Sequence, residues 1–194
     1  PEPELTYLFK HVVTQEVAYE SLAVATRAML HEQLGAYLKT LAAGDAPAYL
    51  DLLAYHYERS ANTAAAQRYL RKAGEVAAGR YANVAAVDYF TRALALTPES
   101  AIAERYALVR AREGVYETQG ERTAQGAAVE SLAALAEILG DGALRSEAAL
   151  RRSVYGEQVG RFAEAVVAAE QAVALAAEAG QATAEAVAQF QLGW

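Results

Sequence analysis

Residues 53–98 decide the fold, and they read LAYHYERSANTAAAQRYLRKAGEVAAGRYANVAAVDYFTRALALTP. Apolar residues recur at helical spacing in this stretch, and small side chains alternate with large ones. Gly79 marks a bend, and Pro98 closes the run. Two-helix units have this pattern when each unit buries its apolar face against the next one. The stretch therefore predicts stacked pairs of helices.

An internal repeat supports the same interpretation. The tripeptides Gly79-Arg80-Tyr81, Gly120-Glu121-Arg122 and Gly160-Arg161-Phe162 begin 41 and 40 residues apart, and each precedes an alanine-rich amphipathic helix. A period of this length with two helices per unit is typical of a helical solenoid. A single helical bundle is the alternative, but the nearly constant spacing of the glycines favours the solenoid.

The predicted domain organisation is a helical adaptor over residues 1–45, followed by an array of repeats over residues 46–194 whose last repeat is truncated. The adaptor holds two helices, from Val12 to about Leu22 and from about Thr26 to Leu41. The break at residues 44–47 combines a glycine, a helix-capping aspartate and a proline. The array helices are expected at about 47–59, 63–79, 83–96, 100–118, 123–139, 143–158 and 161–179, and from 183 onward.

Composition limits the possible functions. The chain of 194 residues is rich in alanine, carries a net charge of −7 and contains no cysteine. The absence of cysteine excludes disulfides and thiolate chemistry, and the negative charge argues against a nucleic-acid partner. No apolar run is long enough for a membrane span, and no signal peptide is visible, so we expect a cytoplasmic protein without a membrane partner.

The array resembles the tetratricopeptide repeat (TPR), in which small residues let two helices approach closely and bulky residues fill the space beside them. The resemblance implies an all-α, right-handed solenoid preceded by the two-helix adaptor. It also implies which residues pack the repeats. These are Leu53, Ala54, Tyr57, Ala66, Leu70, Ala73, Ala86, Phe90, Ala93, Pro98, Phe162, Ala165, Ala169 and Ala172.

The N-terminal region carries a second resemblance. Residues 9–22, FKHVVTQEVAYESL, and residues 30–34, LHEQL, are similar to a segment of large bacterial signal-transduction ATPases with numerous domains (STAND ATPases). In those proteins the segment joins a winged-helix region to tetratricopeptide repeats, and many of them carry a class III adenylate/guanylate cyclase domain. The resemblance implies that this chain is a sensor or scaffold arm excised from such a protein.

No reaction centre is visible in the sequence. Phosphate-binding loops of the G-x-x-x-x-G-K-[ST] and G-x-G-x-x-G types are absent. Residues 31–35, HEQLG, begin like the zinc helix H-E-x-x-H but lack its second histidine. His11, His31 and His56 are expected on different helices as packing or surface residues. We therefore expect no catalytic residues, no metal and no cofactor, and we expect that this chain is not an enzyme.

A binding groove follows from the repeat resemblance, because the first helix of each TPR unit lines the concave surface. The residues carried over to this groove are Tyr55, Glu58, Arg59, Arg110, Glu117, Glu157 and Gln158. Two arginine clusters, at residues 105–112 and 145–152, have two interpretations. They belong either to a solvated face with carboxylate partners such as Glu147, or to a basic strip that clamps an acidic peptide or phosphate.

The leading functional hypothesis is a non-catalytic protein-interaction scaffold or sensor arm of a signalling ATPase or cyclase. Its partner is a protein, a peptide or another domain of the parent chain. The alternative is a regulatory domain that binds a small-molecule effector and changes shape. We also expect the fragment to self-associate, because cut ends of a repeat array expose apolar surface.

Overall fold

The computed structural model describes residues 11–41 and 47–181, together with residues 184, 188, 189 and 191. These residues form helices and turns without any β-strand, which confirms the all-α class. The eighth predicted array helix, from residue 183, lies largely outside the described residues. The helices are α1 (Val12–Glu20), α2 (Val24–Leu41), α3 (Leu50–Glu58), α4 (Thr63–Gly79), α5 (Asn83–Leu96), α6 (Ile102–Gln119), α7 (Arg122–Leu139), α8 (Gly142–Gln158) and α9 (Phe162–Glu178).

The chain divides into two compact units, residues 1–69 and residues 70–194, and the division falls within α4. A 3₁₀ turn, Pro47–Tyr49, leads into α3 in the first unit. None of the helices in the described part of the chain is both long and apolar enough to cross a membrane.

The first unit is built around the packing of α2 on α3. Leu53 and Ala54 of α3 are completely buried. The ring of Tyr57 stacks on the ring of Tyr69 with centroids 5.1 Å apart. On α2, a Cβ atom added to Gly35 would lie 3.1 Å from the Tyr57 ring. A glycine at position 35 therefore lets α2 approach the buried face of α3.

In the second unit, each helix from α5 to α9 packs on the next helix in the sequence. Small residues lie at the closest approaches. A Cβ atom added to Gly156 of α8 would lie 3.0 Å from the Cβ of Ala165 in α9, and one added to Gly74 of α4 would lie 2.7 Å from the Phe90 ring in α5. Helices that approach this closely leave no space for a side chain at the contact. Pairing between sequence neighbours is the arrangement that the repeat pattern predicted.

The turns between helices repeat at a regular interval. Gly120, Gly140, Gly160 and Gly180 all have a positive φ angle, between 65° and 76°, and they follow one another every 20 residues. Glycine adopts this left-handed conformation without the steric cost that a Cβ atom adds. Gly79, which the sequence suggested as a bend, is instead the last residue of α4. The left-handed position of that turn is occupied by Tyr81, with a φ of 58°.

Most of the residues expected to pack the repeats are buried, including Leu70, Ala86, Phe90 and Ala172. Two are not. Pro98 is exposed just after the end of α5, and 67% of Phe162 is exposed. Phe162 is the first residue of α9, whereas Ala165, one turn later, is buried against Gly156 of α8. The expectation that Phe162 packs the last repeat is therefore wrong.

Candidate functional site

The three groove residues expected on α3 lie together at its C-terminal end. The guanidinium group of Arg59 stacks over the ring of Tyr55 at 3.8 Å, and Arg59 Nη1 donates to the backbone carbonyl of Tyr55 at 3.2 Å. A carboxylate oxygen of Glu58 lies 3.7 Å from Arg59. Tyr55 remains 45% exposed. Its aromatic ring is therefore the apolar surface that this group presents.

Tyr55 also lines a cleft beside α1. The cleft has a volume of about 610 Å³, and its other lining residues belong to α1 and the turn after it. These residues are Val12, Gln15, Glu16, Ala18, Tyr19 and Leu22. The volume is within the range of small-molecule sites. The walls are mainly apolar, and Glu16 supplies the one charged group among the residues that line the cleft.

Two histidines that are 25 residues apart in the sequence meet behind this cleft. The Nδ1 atoms of His31 in α2 and His56 in α3 lie 2.8 Å apart. The Nε2 atom of His31 lies 3.0 Å from the hydroxyl oxygen of Tyr19 in α1. The ring of Tyr55 meets both imidazoles edge-on, with centroids 5.9 Å from His31 and 5.0 Å from His56. The pair thus connects the first three helices.

The surroundings of the histidine pair favour the neutral form of both rings. Burial, followed by the positive charge of Arg59, lowers the pKa of His31. Burial, the neighbouring His31 and Arg59, in that order, lower the pKa of His56. Within the described part of the chain, no group of three or more His, Cys, Asp or Glu side chains is placed to hold a metal ion.

In the second unit, a polar seam joins α6 to α8. Its centre is Glu113, whose side chain is completely buried. The carboxylate of Glu113 accepts two hydrogen bonds from Arg151, at 2.9 and 2.8 Å, and one from Gln125 Nε2 at 3.1 Å. Arg110 Nη1 donates a longer one at 3.3 Å. A buried carboxylate requires such a set of donors, because its charge has been removed from water.

Three of the residues predicted to line a groove belong to this seam. Arg110 Nε donates to Glu147 at 2.8 Å. Glu117 accepts a hydrogen bond from Arg151 and another, 3.0 Å long, from Gln158 Nε2. The fourth residue, Glu157, is exposed at the end of α8. The structure therefore brings Arg110, Glu117 and Gln158 together as intramolecular braces.

The charges of the seam stabilise one another. Burial raises the pKa of Glu117, but the hydrogen bond and charge of Arg151, with smaller contributions from Gln158 and Arg110, outweigh burial and leave it lowered. Burial lowers the pKa of Arg151, and its bonds to Glu113 and Glu117 outweigh that effect. Tyr106 donates to Glu147 at 3.0 Å, and burial, then Glu147, raise the pKa of its hydroxyl.

The two arginine clusters are also engaged within the chain. Each of their arginines contacts an acceptor on the protein. These contacts are Arg105 with the Thr97 carbonyl, Arg110 with Glu147, Arg112 with Thr91, Arg145 with Glu137, Arg151 with Glu113 and Arg152 with Glu130. Four of these six acceptors are carboxylates, as the interpretation of a solvated face with carboxylate partners predicts.

Sequence reasoning overlooked the burial of Glu113 and Gln125. One signal was available for Glu113. It lies four residues after Val109, which itself follows Tyr106 by three, so Glu113 continues the buried stripe of α6. A charged residue at such a position requires a partner, but the sequence does not identify Arg151, 38 residues later, as that partner.

Large apolar side chains are exposed along one face of α2. Leu30, Leu34, Tyr37 and Leu41 are 42–55% exposed, and their spacing of three or four residues places them in one stripe. We call these four residues the α2 stripe. The buried residues His31 and Gly35 directly follow the stripe residues Leu30 and Leu34, so they lie about 100° around the helix from them.

No protein-family model matches the chain, and a search of the curated proteins finds no match.

Proposed function

We propose that this chain is a non-catalytic protein-interaction scaffold, the sensor arm of a larger bacterial signalling ATPase or cyclase. The observation that carries the proposal is the α2 stripe. Contiguous large apolar side chains that remain exposed on a folded protein are typical of a surface that another protein covers. The similarity of residues 9–22 and 30–34 to STAND ATPases supports the signalling context.

The proposal includes a right-handed, TPR-like arrangement of the helix pairs. The glycine and alanine residues at the closest helix contacts support it, because small residues at such positions are the packing rule of that repeat. The polar seam has a supporting part in this proposal. Its charges pair with one another, so it stiffens α6 against α8 and leaves recognition to apolar surface.

A helical segment with its own apolar face is the partner that fits the α2 stripe. The stripe runs along the helix with the i, i+4, i+7, i+11 spacing of an amphipathic helix, the pattern that packs against another helix. Covering a leucine side chain completely contributes about 1.5–3 kcal/mol. The four half-exposed side chains of the stripe therefore contribute about 3–6 kcal/mol when they are covered, and burial of the partner's own apolar face adds to this.

A display library of random amphipathic helical peptides tests the proposal. Selected peptides are measured by fluorescence anisotropy against the wild-type chain and the variant Leu34→Gln/Tyr37→Gln. We expect binding to weaken by about tenfold or more, since a tenfold loss corresponds to only 1.4 kcal/mol. Lys39→Gln is the matched control, because Lys39 is exposed on another face of the same helix. Equal binding by the stripe variant, or a selection that yields no binder, contradicts the proposal.

A small-molecule effector is the second candidate, and the cleft beside Tyr55 favours it. Its apolar walls and single carboxylate suit a ligand with an apolar body and a positively charged group. A thermal-shift screen with small amines and other metabolites tests it. A stabilising compound that loses its effect in Tyr55→Ala supports this candidate, and the absence of any such compound refutes it.

A further inference from the structure

The strongest unexplained feature of the first unit is the contact between the imidazoles of His31 and His56. Two Nδ1 atoms at 2.8 Å form a hydrogen bond only if one carries a proton and the other does not. The pair therefore holds together when both rings are neutral, or when one of them is charged. When both are protonated, two N–H groups and two positive charges face each other, and the contact is lost.

Helix α1 is attached to α2 partly through this pair. No residue of α1 is buried. Among the described residues, Arg27 of α2 also holds α1, since it lies over the Tyr19 ring at 5.0 Å and pairs with Glu20 at 2.6 Å. Tyr19 contacts a ring that is only 8% exposed and is fixed from behind by His56. A change in the position of His31 therefore removes the partner of Tyr19.

The groups around the pair oppose its protonation. The charged side chain that acts on both rings is a cation, Arg59. The tyrosines in contact are Tyr19 and Tyr55. Three carboxylates on these helices contact other side chains: Glu20 pairs with Arg27, Glu32 accepts a hydrogen bond from Asn62, and Glu58 lies beside Arg59. Of the other two, Glu16 lines the cleft and Asp51 lies in the first turn of α3.

We propose that His31 and His56 form an acid-sensitive latch that holds α1 against α2 and α3 and releases it when both imidazoles are protonated. Because α1 forms most of the cleft beside Tyr55, release also dismantles that cleft. The latch depends on the contacts of the first unit alone, and it does not require the proposed scaffold function. It adds a means by which acidification changes the surface that this unit presents.

The direction of the pH effect follows from the lowered pKa of both rings. When the latch is open, both histidines have the ordinary pKa and bind protons below about pH 6.5. When the latch is closed, their lowered pKa values move proton binding to lower pH. The latch is therefore complete above that pH and is weakened progressively as the pH falls below it. For each ring, the population of the unlatched state increases by up to about tenfold for each pH unit until the ring in the latched state also titrates.

Hydrogen exchange of residues 12–20, corrected for the intrinsic effect of pH, tests the latch in the full chain. Between about pH 7.5 and pH 5, we expect the protection of α1 in the wild type to fall by about tenfold or more. His56→Asn, which replaces one titrating partner, reduces this fall. Tyr19→Phe, which removes the hydroxyl, lowers the protection of α1 already at the higher pH. His11→Asn is the control, because His11 is exposed and outside the pair.

Two results overturn the proposal. One is a wild-type α1 whose corrected protection is the same at both pH values. The other is a pH effect that His11→Asn removes as completely as His56→Asn does. Exchange of α7–α9 serves as an internal reference, since all three histidines lie before residue 57 and the second unit contains none. If His56→Asn prevents folding, NMR titration of the wild-type imidazoles replaces it, and normal pKa values for both rings refute the latch.

Discussion

Replacing Glu113 with glutamine tests whether the polar seam stabilises the second unit. The carboxylate of Glu113 is completely buried and accepts four hydrogen bonds, of which three come from guanidinium groups. Glutamine has a similar shape, but it is neutral and presents an NH₂ group to donors that need an acceptor. Arg151, whose side chain is only 13% exposed, then keeps Glu117 as its one carboxylate partner.

The expected loss is about 3 kcal/mol of the free energy of unfolding. Removing one partner of a buried ion pair costs about 3–5 kcal/mol, and the remaining amide oxygen of glutamine places Glu113→Gln at the lower end. Glu130→Gln is the matched control, because Glu130 makes the same kind of contact with Arg152, at 2.9 Å, with side chains that are 68% and 41% exposed. An exposed pair contributes at most about 1 kcal/mol.

Urea denaturation followed by circular dichroism measures the loss, and hydrogen exchange of peptides from α6 and α8 assigns it to the second unit. A third variant, Glu113→Leu/Arg151→Met, removes both buried charges. We expect it to recover part of the lost stability, because the one carboxylate that then loses its arginine, Glu117, is 28% exposed and keeps its hydrogen bond from Gln158. The reasoning is refuted if Glu113→Gln costs no more than Glu130→Gln. It is also refuted if the double variant is less stable than Glu113→Gln.

Further predictions concern the turns, the helix contacts and the response to acid. Tyr81→Gly should raise the free energy of unfolding by about 0.5–1 kcal/mol in urea denaturation, because Tyr81 is 79% exposed and has a φ of 58° that costs a non-glycine residue about 1–2 kcal/mol. Gly74→Ala should lower it by about 1–3 kcal/mol, since the new Cβ meets the buried Phe90 ring at 2.7 Å. Gly114→Ala should raise the free energy of unfolding by about 0.5–1 kcal/mol, because Gly114 lies inside α6 and the new Cβ has its nearest neighbour at 3.4 Å. If both alanine variants changed the free energy of unfolding in the same direction, the packing argument would be contradicted. The second unit should keep its stability down to about pH 5 and lose part of it below about pH 4.5, because the lowered pKa of Glu117 stabilises the folded state only where the unfolded carboxylate is ionised. Exchange of α6 peptides against pH measures this loss.

The sequence predicts the helices and most of their buried faces well, because both depend on local periodicity. Leu53, Phe90 and Ala172 are buried as their spacing requires. The prediction fails for Phe162, because periodicity does not reveal that this residue, the first of α9, is 67% exposed. Tyr81 illustrates another limit, since a tyrosine gives no signal that its backbone is left-handed.

The candidate sites were less predictable, because they depend on contacts between distant residues. The histidines were expected on different helices, and they are, but the helices bring their rings into contact. A pair of residues 25 positions apart has no periodic signature. The same holds for Glu113 of α6 and Arg151 of α8, which come within hydrogen-bonding distance although their helices follow each other only through α7, on which both pack.

The positions of the charged residues also change which surface is expected to bind a partner. A TPR-like register places Arg110, Glu117 and Gln158 toward a groove, and from the sequence alone such residues suggest an electrostatic clamp. In the structure they pair with Glu147, Arg151 and one another. A ligand that used them would first have to break these bonds, at a cost comparable to the contacts that it could gain.

The α2 stripe carries no such cost, since its exposed side chains lose only water when they are covered. Recognition by apolar surface, with the paired charges holding the helices in place, is therefore the arrangement that these residues favour energetically.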